Sequence, residues 1–293
     1  MIFIDWISTS DHKNFNNAFF SNLKKNNKHQ LFVFSKSLKT KKINCHVKKN
    51  KNSRFVRFLE IIKLCFFFRN NSIFFLTYDP LFLPLTKFFV KKKIFTYEHN
   101  TVPEKIIDKH SIFQYFFFRT FVRLAQFKGQ RNFLIKIKQN VIYLGSPLLN
   151  LKFKKKNFYK KSINKYFISP SYREDLSLLQ KKLNLLKDYK IFLKSILFND
   201  RLTVKNLPSN FYLVKRIKID NFEKNILGII VSINSSIRGS GWFNEAISRG
   251  IPIIILSKKT RKLFIETFPN YPHIFLDNIK NINHLKKEIK RIK

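Results

Sequence analysis

Residues 226–256 impose the tightest constraint on this chain. Residues 226–233 are an apolar run of strand length, read as a buried strand. A small-residue turn, Gly239, Ser240 and Gly241, follows Arg238. Residues 242–249 read as a short helix. Gly250 is placed to take the left-handed conformation that ends such a helix, and Pro252 opens a second all-apolar strand, 251–256. Strand, glycine turn, helix and strand together make a βαβ unit. Its turn sets backbone N–H groups and the positive end of a helix at the carboxyl edge of a parallel sheet, where phosphate binds. Glu245 falls about one turn into that helix, within reach of a sugar hydroxyl.

The rest of the chain alternates in the same way. Strands are expected at 1–7, 31–35, 43–47, 72–78, 93–99 and 140–145, with helices at 15–25, 55–69, 81–90 and 111–127. Residues 152–165 then shift to a lysine-rich run with few packing residues, which reads as a linker. The winding restarts with strands at 166–169, 191–194, 211–214, 227–233, 251–256 and 273–276, and with helices at 174–186 and 279–292. The expectation is an α/β protein of two domains, 1–151 and 166–293, joined by the basic linker 152–165.

Composition bounds the function. Apolar residues make up 44% of the 293, enough for a sizeable core, yet 58 Lys and Arg face only 17 Asp and Glu, a net charge of +41. Two accounts of that charge stand side by side. One is coding bias, since Lys, Asn, Ile and Phe are all abundant. The other is an anionic partner, a membrane face or a nucleic acid. A basic residue near an anionic leaflet contributes roughly 1 kcal/mol, so a minority of these charges would hold the chain to a membrane. No run approaches the roughly twenty apolar residues that span a bilayer. Asp5 and Asp11 stand where a signal peptide would stay apolar. Cys45 and Cys65 show no paired spacing and read as free thiols. These features point to a cytoplasmic protein, peripheral on the inner face of the plasma membrane.

The segment 241–254, with Glu245, Ala246, Gly250, Pro252, Ile253 and Ile254, resembles the donor-site signature of GT-B glycosyltransferases that use nucleotide-sugars, in particular the group 1, family 4-like enzymes of bacterial surface polysaccharides. Family members carry a glutamate before the glycine turn and a second one in the helix. Glu245 matches the second, while Ile237 and Arg238 stand where the first would be. Residues 140–145 resemble the strand and glycine that close the first GT-B domain, and 166–173 the strand and loop that open the second. The resemblance implies two Rossmann-like domains with parallel sheets facing a central cleft. It implies Arg173, Arg238, Gly239, Ser240, Gly241 and Glu245 as donor-binding residues, with Lys205 a weaker candidate. The donor is a co-substrate, and no cofactor is expected.

On the acceptor side the strand end at 96–101 holds Glu98, His99 and Asn100. His99 has the reference pKa for general acid/base work, and Glu98 and Asp11 are the further catalytic candidates. The first strand-to-helix loop supplies Ser8, Asp11 and His12; Asp11 reads also as a helix cap. Asp79 reads as a turn or a cap. The chain has no Asp-x-Asp clamp, no zinc-spaced Cys/His cluster, no Walker loop and no nucleophile elbow. The expectation is a metal-independent hexosyltransferase-like enzyme that moves a sugar from a nucleotide-sugar to a lipid-linked or surface-glycan acceptor, at an anionic inner-membrane surface. A basic, aromatic-rich nucleic-acid-binding protein and a catalytically degenerate GT-B protein are the alternatives.

Overall fold

The structure is a computed structural model that describes residues 1–6, 13–23, 26, 28–36, 39–48, 53–98, 118–146, 166–169, 178, 181–194, 208–214, 226–237, 239 and 241–292. The chain divides into two compact units, Met1–Leu151 and Lys152–Lys293. The expected linker, 152–165, lies outside the described residues.

The first unit holds β1 (Ile2–Asp5), β2 (Gln30–Val33), β3 (Asn44–Val47), β4 (Ile73–Thr77), β5 (Ile94–Glu98), β6 (Val122–Ala125) and β7 (Val141–Tyr143). They form one sheet in the order β3-β2-β1-β4-β5-β6-β7. Every pairing is parallel. The chain winds outward from β1 to β3 and then crosses back to place β4 beside β1, the doubly wound order. Successive side chains of β1 face opposite ways. Ile2 and Ile4 join Ile73, Phe75 and Ile94 on one side of the sheet, while Phe3 joins Leu31, Phe74 and Leu76 on the other. Burial on both faces is why these strands read as continuous apolar runs.

Helix α1 (Lys13–Ser21) buries Phe15, Ala18 and Phe19, the face its periodicity predicts. Helix α2 (Arg54–Phe67) is capped by Ser53, whose hydroxyl accepts from the Val56 N–H, and buries Phe58, Ile61, Leu64 and Cys65. Leu83–Phe89 is a 3-10 helix with Pro84 in its first turn; it was expected as an ordinary helix. Cys45 and Cys65 are free thiols, and burial pushes that of Cys65 up to about 12.

The expected helix at 111–127 is corrected where it is described. Phe118–Thr120 is a single 3-10 turn, and Val122–Ala125 is a strand between β5 and β7. All four β6 residues are buried. A strand enclosed on both faces loses the period-two pattern, so its apolar spacing passes for helix. The helix α3 (Lys128–Lys136) follows where none was expected.

The second unit repeats the plan with β8 (Tyr166–Ser169), β9 (Lys190–Lys194), β10 (Phe211–Val214), β11 (Ile226–Val231), β12 (Ile253–Ile255) and β13 (His273–Phe275). The sheet order is β10-β9-β8-β11-β12-β13, again wholly parallel. Counted from β8, this is the same outward-and-back winding. The helices are α4 (Leu183–Leu186), α5 (Gly241–Arg249), α6 (Lys258–Thr267) and α7 (Ile282–Ile292). Of the expected helix at 174–186, residues 174–177, 179 and 180 lie outside the described residues; in the rest, residues 181 and 182 form a turn and α4 follows at Leu183–Leu186. No element is expected at α6 from the sequence. Its N-cap is Ser257, which accepts from the Thr260 N–H at 3.5 Å.

Candidate functional site

The strand order of the second unit reverses between β8 and β11. Ligands of open parallel sheets bind beyond the carboxyl ends of the strands at such a point. β11 is buried at every position, and Gly228 lets it lie close to its neighbour. A Cβ there would stand 3.0 Å from the Pro252 carbonyl oxygen.

Beyond β11 the chain is pinned from α6. The Thr260 hydroxyl bonds the Ile233 carbonyl and accepts from the Ser235 N–H at 3.2 Å. The Ser235 hydroxyl accepts from the Ile237 N–H at 3.1 Å. Residues 233–237, which lead up to the glycines, are therefore held by the Thr260 and Ser235 hydroxyls. Gly239 is buried, and α5 starts at Gly241; Arg238 and Ser240 lie outside the described residues. Phe243 and Ala246 are fully buried, Phe243 edge-on to Phe264 at 5.0 Å. The helix ends as its glycine predicts. Gly250 has φ 71°, its N–H donates to the Ile247 carbonyl at 3.1 Å, and the Ile251 N–H donates to the Ala246 carbonyl at 2.9 Å. That pair of bonds is the Schellman closure.

Glu245 lies on α5 with its carboxylate partly exposed and held by Arg249 one turn on, at 3.1 Å. The carboxylate is legible in the sequence; its arginine partner is not. An arginine at that distance orients the carboxylate.

On the same carboxyl edge a pocket of about 420 Å³ is lined by Lys181, Lys182, Asn234, Ser257, Lys258 and Lys259, among others. Asn234 follows β11, and its side-chain oxygen accepts from the Ser257 hydroxyl at 2.7 Å. Lys258 and Lys259 open α6, so their charges add to the positive end of its dipole. Lys182 is paired with Asp277 at 2.8 Å. An anion of diphosphate size suits such a pocket. None of these residues was singled out from the sequence, where lysine is too common to signal a site.

In the first unit the catalytic expectation for Glu98 gives way to a structural role. Glu98 is fully enclosed at the end of β5. Arg123 of β6 donates from Nε and Nη2 to its two oxygens at 3.0 and 2.9 Å. The Tyr78 hydroxyl donates at 2.7 Å and the Thr96 hydroxyl at 2.8 Å. Burial alone would raise its pKa, but the Arg123 charge and these hydrogen bonds outweigh it and hold the carboxyl below the ordinary range. A carboxylate satisfied on all sides presents nothing to an acceptor.

At the carboxyl end of β1, Asp5 is buried between the Asn16 amide, at 2.8 Å, and the Thr77 hydroxyl. Asp79, after β4, pairs with Arg54 at the start of α2 and accepts from the Leu81 N–H at 3.0 Å, the turn role its sequence suggests. Ser8, Asp11, His12, His99, Asn100, Arg173 and Lys205 lie outside the described residues.

No protein-family model matches the chain, and no curated protein matches it in sequence. Solved structures do match. A glycosyltransferase from Rickettsia africae ESF-5 aligns over 99% of this chain and 87% of its own, with TM-score 0.57 and 11% identity. An alpha,alpha-trehalose 6-phosphate synthase from Burkholderia multivorans aligns over 99% and 92%, with TM-score 0.54 and 9% identity. UGT89C1 of Arabidopsis thaliana, solved with UDP-L-rhamnose, aligns over 99% and 93%, with TM-score 0.51 and 7% identity. At these identities the likeness is one of fold, and the fold is that of the GT-B glycosyltransferases, two Rossmann-like α/β units on all-parallel sheets.

Proposed function

We propose that the chain is a glycosyltransferase whose second unit binds a nucleotide-sugar at the carboxyl edge of β11. The observation that carries this reading is the placement of Gly239 and Gly241. They follow β11, where the sheet order reverses, and Gly241 opens α5; the lysine-lined pocket lies at the same carboxyl edge, bordered by Asn234 after β11 and Ser257 after β12. In transfer, the bond between the sugar C1 and the diphosphate breaks and an acceptor oxygen takes C1. The acceptor proton passes to a base, and the nucleoside diphosphate leaves. Lys258, Lys259 and the N–H groups of the turn oppose the charge that grows on the leaving diphosphate. Glu245, held by Arg249, accepts from ribose hydroxyls. Arg173 and Arg238 reach the diphosphate in this reading. His99 and Asp11 are the proposed acid/base groups, and Ser8, His12 and Asn100 line the acceptor side. The UDP-L-rhamnose in the Arabidopsis relative of fold supports a UDP-sugar as the first donor class to try.

The acceptor in this reading is a lipid-linked or surface glycan, of the lipopolysaccharide, O-antigen or capsule type, presented at an anionic inner-membrane face. The net charge of +41 supports that setting, and among the described residues no helix is long and apolar enough to cross a membrane. We read the enzyme as metal-independent, because the chain lacks an Asp-x-Asp clamp. A thermal-shift screen against UDP, GDP and their sugars tests the donor reading. A ligand at a hundred times its dissociation constant stabilises by roughly 2.7 kcal/mol. A flat response to every nucleotide would overturn it, while binding without turnover would identify a degenerate transferase.

A further inference from the structure

The largest exposed aromatic side chains of the described residues converge on one end of the first unit. Phe67 is 79% exposed, Phe88 78% and Phe66 60%. Phe66 and Phe67 end α2, and Phe88 lies in the 3-10 helix Leu83–Phe89. The backbone joins the two ends. The Lys91 N–H donates to the Arg69 carbonyl at 2.9 Å, and the Ile73 N–H donates to the Lys93 carbonyl at 3.2 Å. Phe68 and Phe89, next in sequence to the exposed rings, pack against the core and fix their neighbours from below. The exposed rings are thus projected from a rigid base. From Phe66 an apolar stripe continues up α2 through Ile62, Leu59 and Phe55, the spacing of one helix face; Leu59 and Phe55 are exposed.

Cations surround the rings. Lys91, Lys92, Lys93 and Arg69 are exposed, and the Arg69 guanidinium lies over the Phe66 ring at 5.7 Å. Among the described residues no acid is paired with them. Within residues 53–98 the acids are Glu60, Asp79 and Glu98. Asp79 and Glu98 are buried in pairs with Arg54 and Arg123, and Glu60 is paired with Lys63.

We propose that this end of the first unit is a docking face for an anionic lipid bilayer. The rings enter the acyl boundary while the lysines meet lipid phosphates, and a bilayer surface accepts both at once. A second copy of the chain suits the face poorly, because a two-fold contact would set these cations against themselves. The inference rests on the membrane part of the reading above and not on the donor site. Vesicle binding without nucleotide therefore separates the two: a failed donor screen leaves it standing, and failed vesicle binding leaves the donor site standing.

The test is co-sedimentation with vesicles of phosphatidylcholine alone and of phosphatidylcholine with phosphatidylglycerol. The parent should bind the anionic vesicles and not the neutral ones. Phe67→Ser with Phe88→Ser should weaken binding by at least about tenfold with an unchanged melting temperature, since both rings are exposed. Lys91→Gln, Lys92→Gln and Lys93→Gln together should weaken binding at low salt and match the parent at high salt. Phe67→Trp should add a blue-shifted emission on anionic vesicles that brominated lipid quenches. The proposal is overturned if both multiple variants bind as the parent does, because the net charge would then act elsewhere. It is also overturned if the serine pair abolishes a concentration-dependent dimer or RNA binding while leaving vesicle binding intact.

Discussion

Arg123 grips Glu98 from the neighbouring strand with two parallel N–H bonds, and both side chains are sealed from solvent. The guanidinium also lies over the Phe118 ring at 5.0 Å. Two charges have left water, and each is tolerable only because the other is present. Glu98→Gln should therefore destabilise the first unit by about 3–5 kcal/mol, the cost of an uncompensated buried charge. Glu98→Gln combined with Arg123→Met should recover much of the loss. Urea unfolding followed by circular dichroism checks both. A Glu98→Gln protein as stable as the parent would return Glu98 to the catalytic candidates.

The same pair sets an acid response. Glu98 titrates below its ordinary range when folded, so the unfolded chain takes up the proton first. The stability it contributes is complete above the unfolded value of about 4.3 and is lost as pH falls below that toward the folded value. The gap in urea midpoint between parent and Glu98→Gln should narrow as pH drops through this window and stay constant above it.

Glu245→Gln should weaken binding of the best nucleotide-sugar by roughly 1–3 kcal/mol, the worth of hydrogen bonds to a charged acceptor. It also loosens Arg249, which is buried, so a modest fall in melting temperature should accompany it. Glu245→Gln is thus read against Arg249→Met, which removes the partner and keeps the carboxylate. Calorimetric titration should show weaker binding in the first and a smaller change in the second. Equal donor affinity in Glu245→Gln and parent would sink the ribose role.

Lys258→Gln with Lys259→Gln should lower affinity for nucleoside diphosphate more than for nucleoside, because the lost charges face the phosphate end of the ligand in this reading. The difference should shrink with added salt. Stability should barely change, since both side chains are exposed. An equal loss for nucleoside and diphosphate would place the phosphates elsewhere.

Two glycines should fail for different reasons. Gly228→Ala puts a methyl group against the Pro252 carbonyl in a fully buried strand, so overpacking of about 1–3 kcal/mol is expected. Gly250→Ala meets nothing within 4 Å, but its positive φ strains any side chain, at roughly 1–2 kcal/mol. Asparagine tolerates the left-handed region. Gly250→Asn should therefore be milder than Gly250→Ala, whereas Gly228→Asn should be worse than Gly228→Ala. Thermal melts of the four variants decide the ordering.

Much of this was legible in the sequence because the parallel strands are sharply bounded apolar runs. Tyr166–Ser169 and Phe211–Val214 were read to the residue. β6 was not, because burial on both faces removes its period-two pattern, and the Arg123 in its middle is explained only by the buried Glu98. α6 was passed over because its apolar content is low, although Ser257 with Thr260 is a capping signal. Gly250 was legible because a helix followed at once by an apolar strand needs a left-handed residue between them. The partners of Glu98 and Glu245 were not, since pairing across strands or turns leaves no mark in a chain where basic residues are everywhere.

The out-and-back winding also sets the order in which each unit can be completed. β1 pairs with β4, so Ile2 waits for Ile73; β8 pairs with β11, so Tyr166 waits for Ile226. Contacts that distant in sequence close slowly. A ribosome that has released only the first strands of a unit presents a two- or three-strand parallel ribbon with one apolar flank open. In the first unit that flank includes Ile2, Phe3 and Ile4. Production of this protein should therefore depend on translation speed and on chaperones that hold nascent chains, most acutely while residues 34–72 are being made.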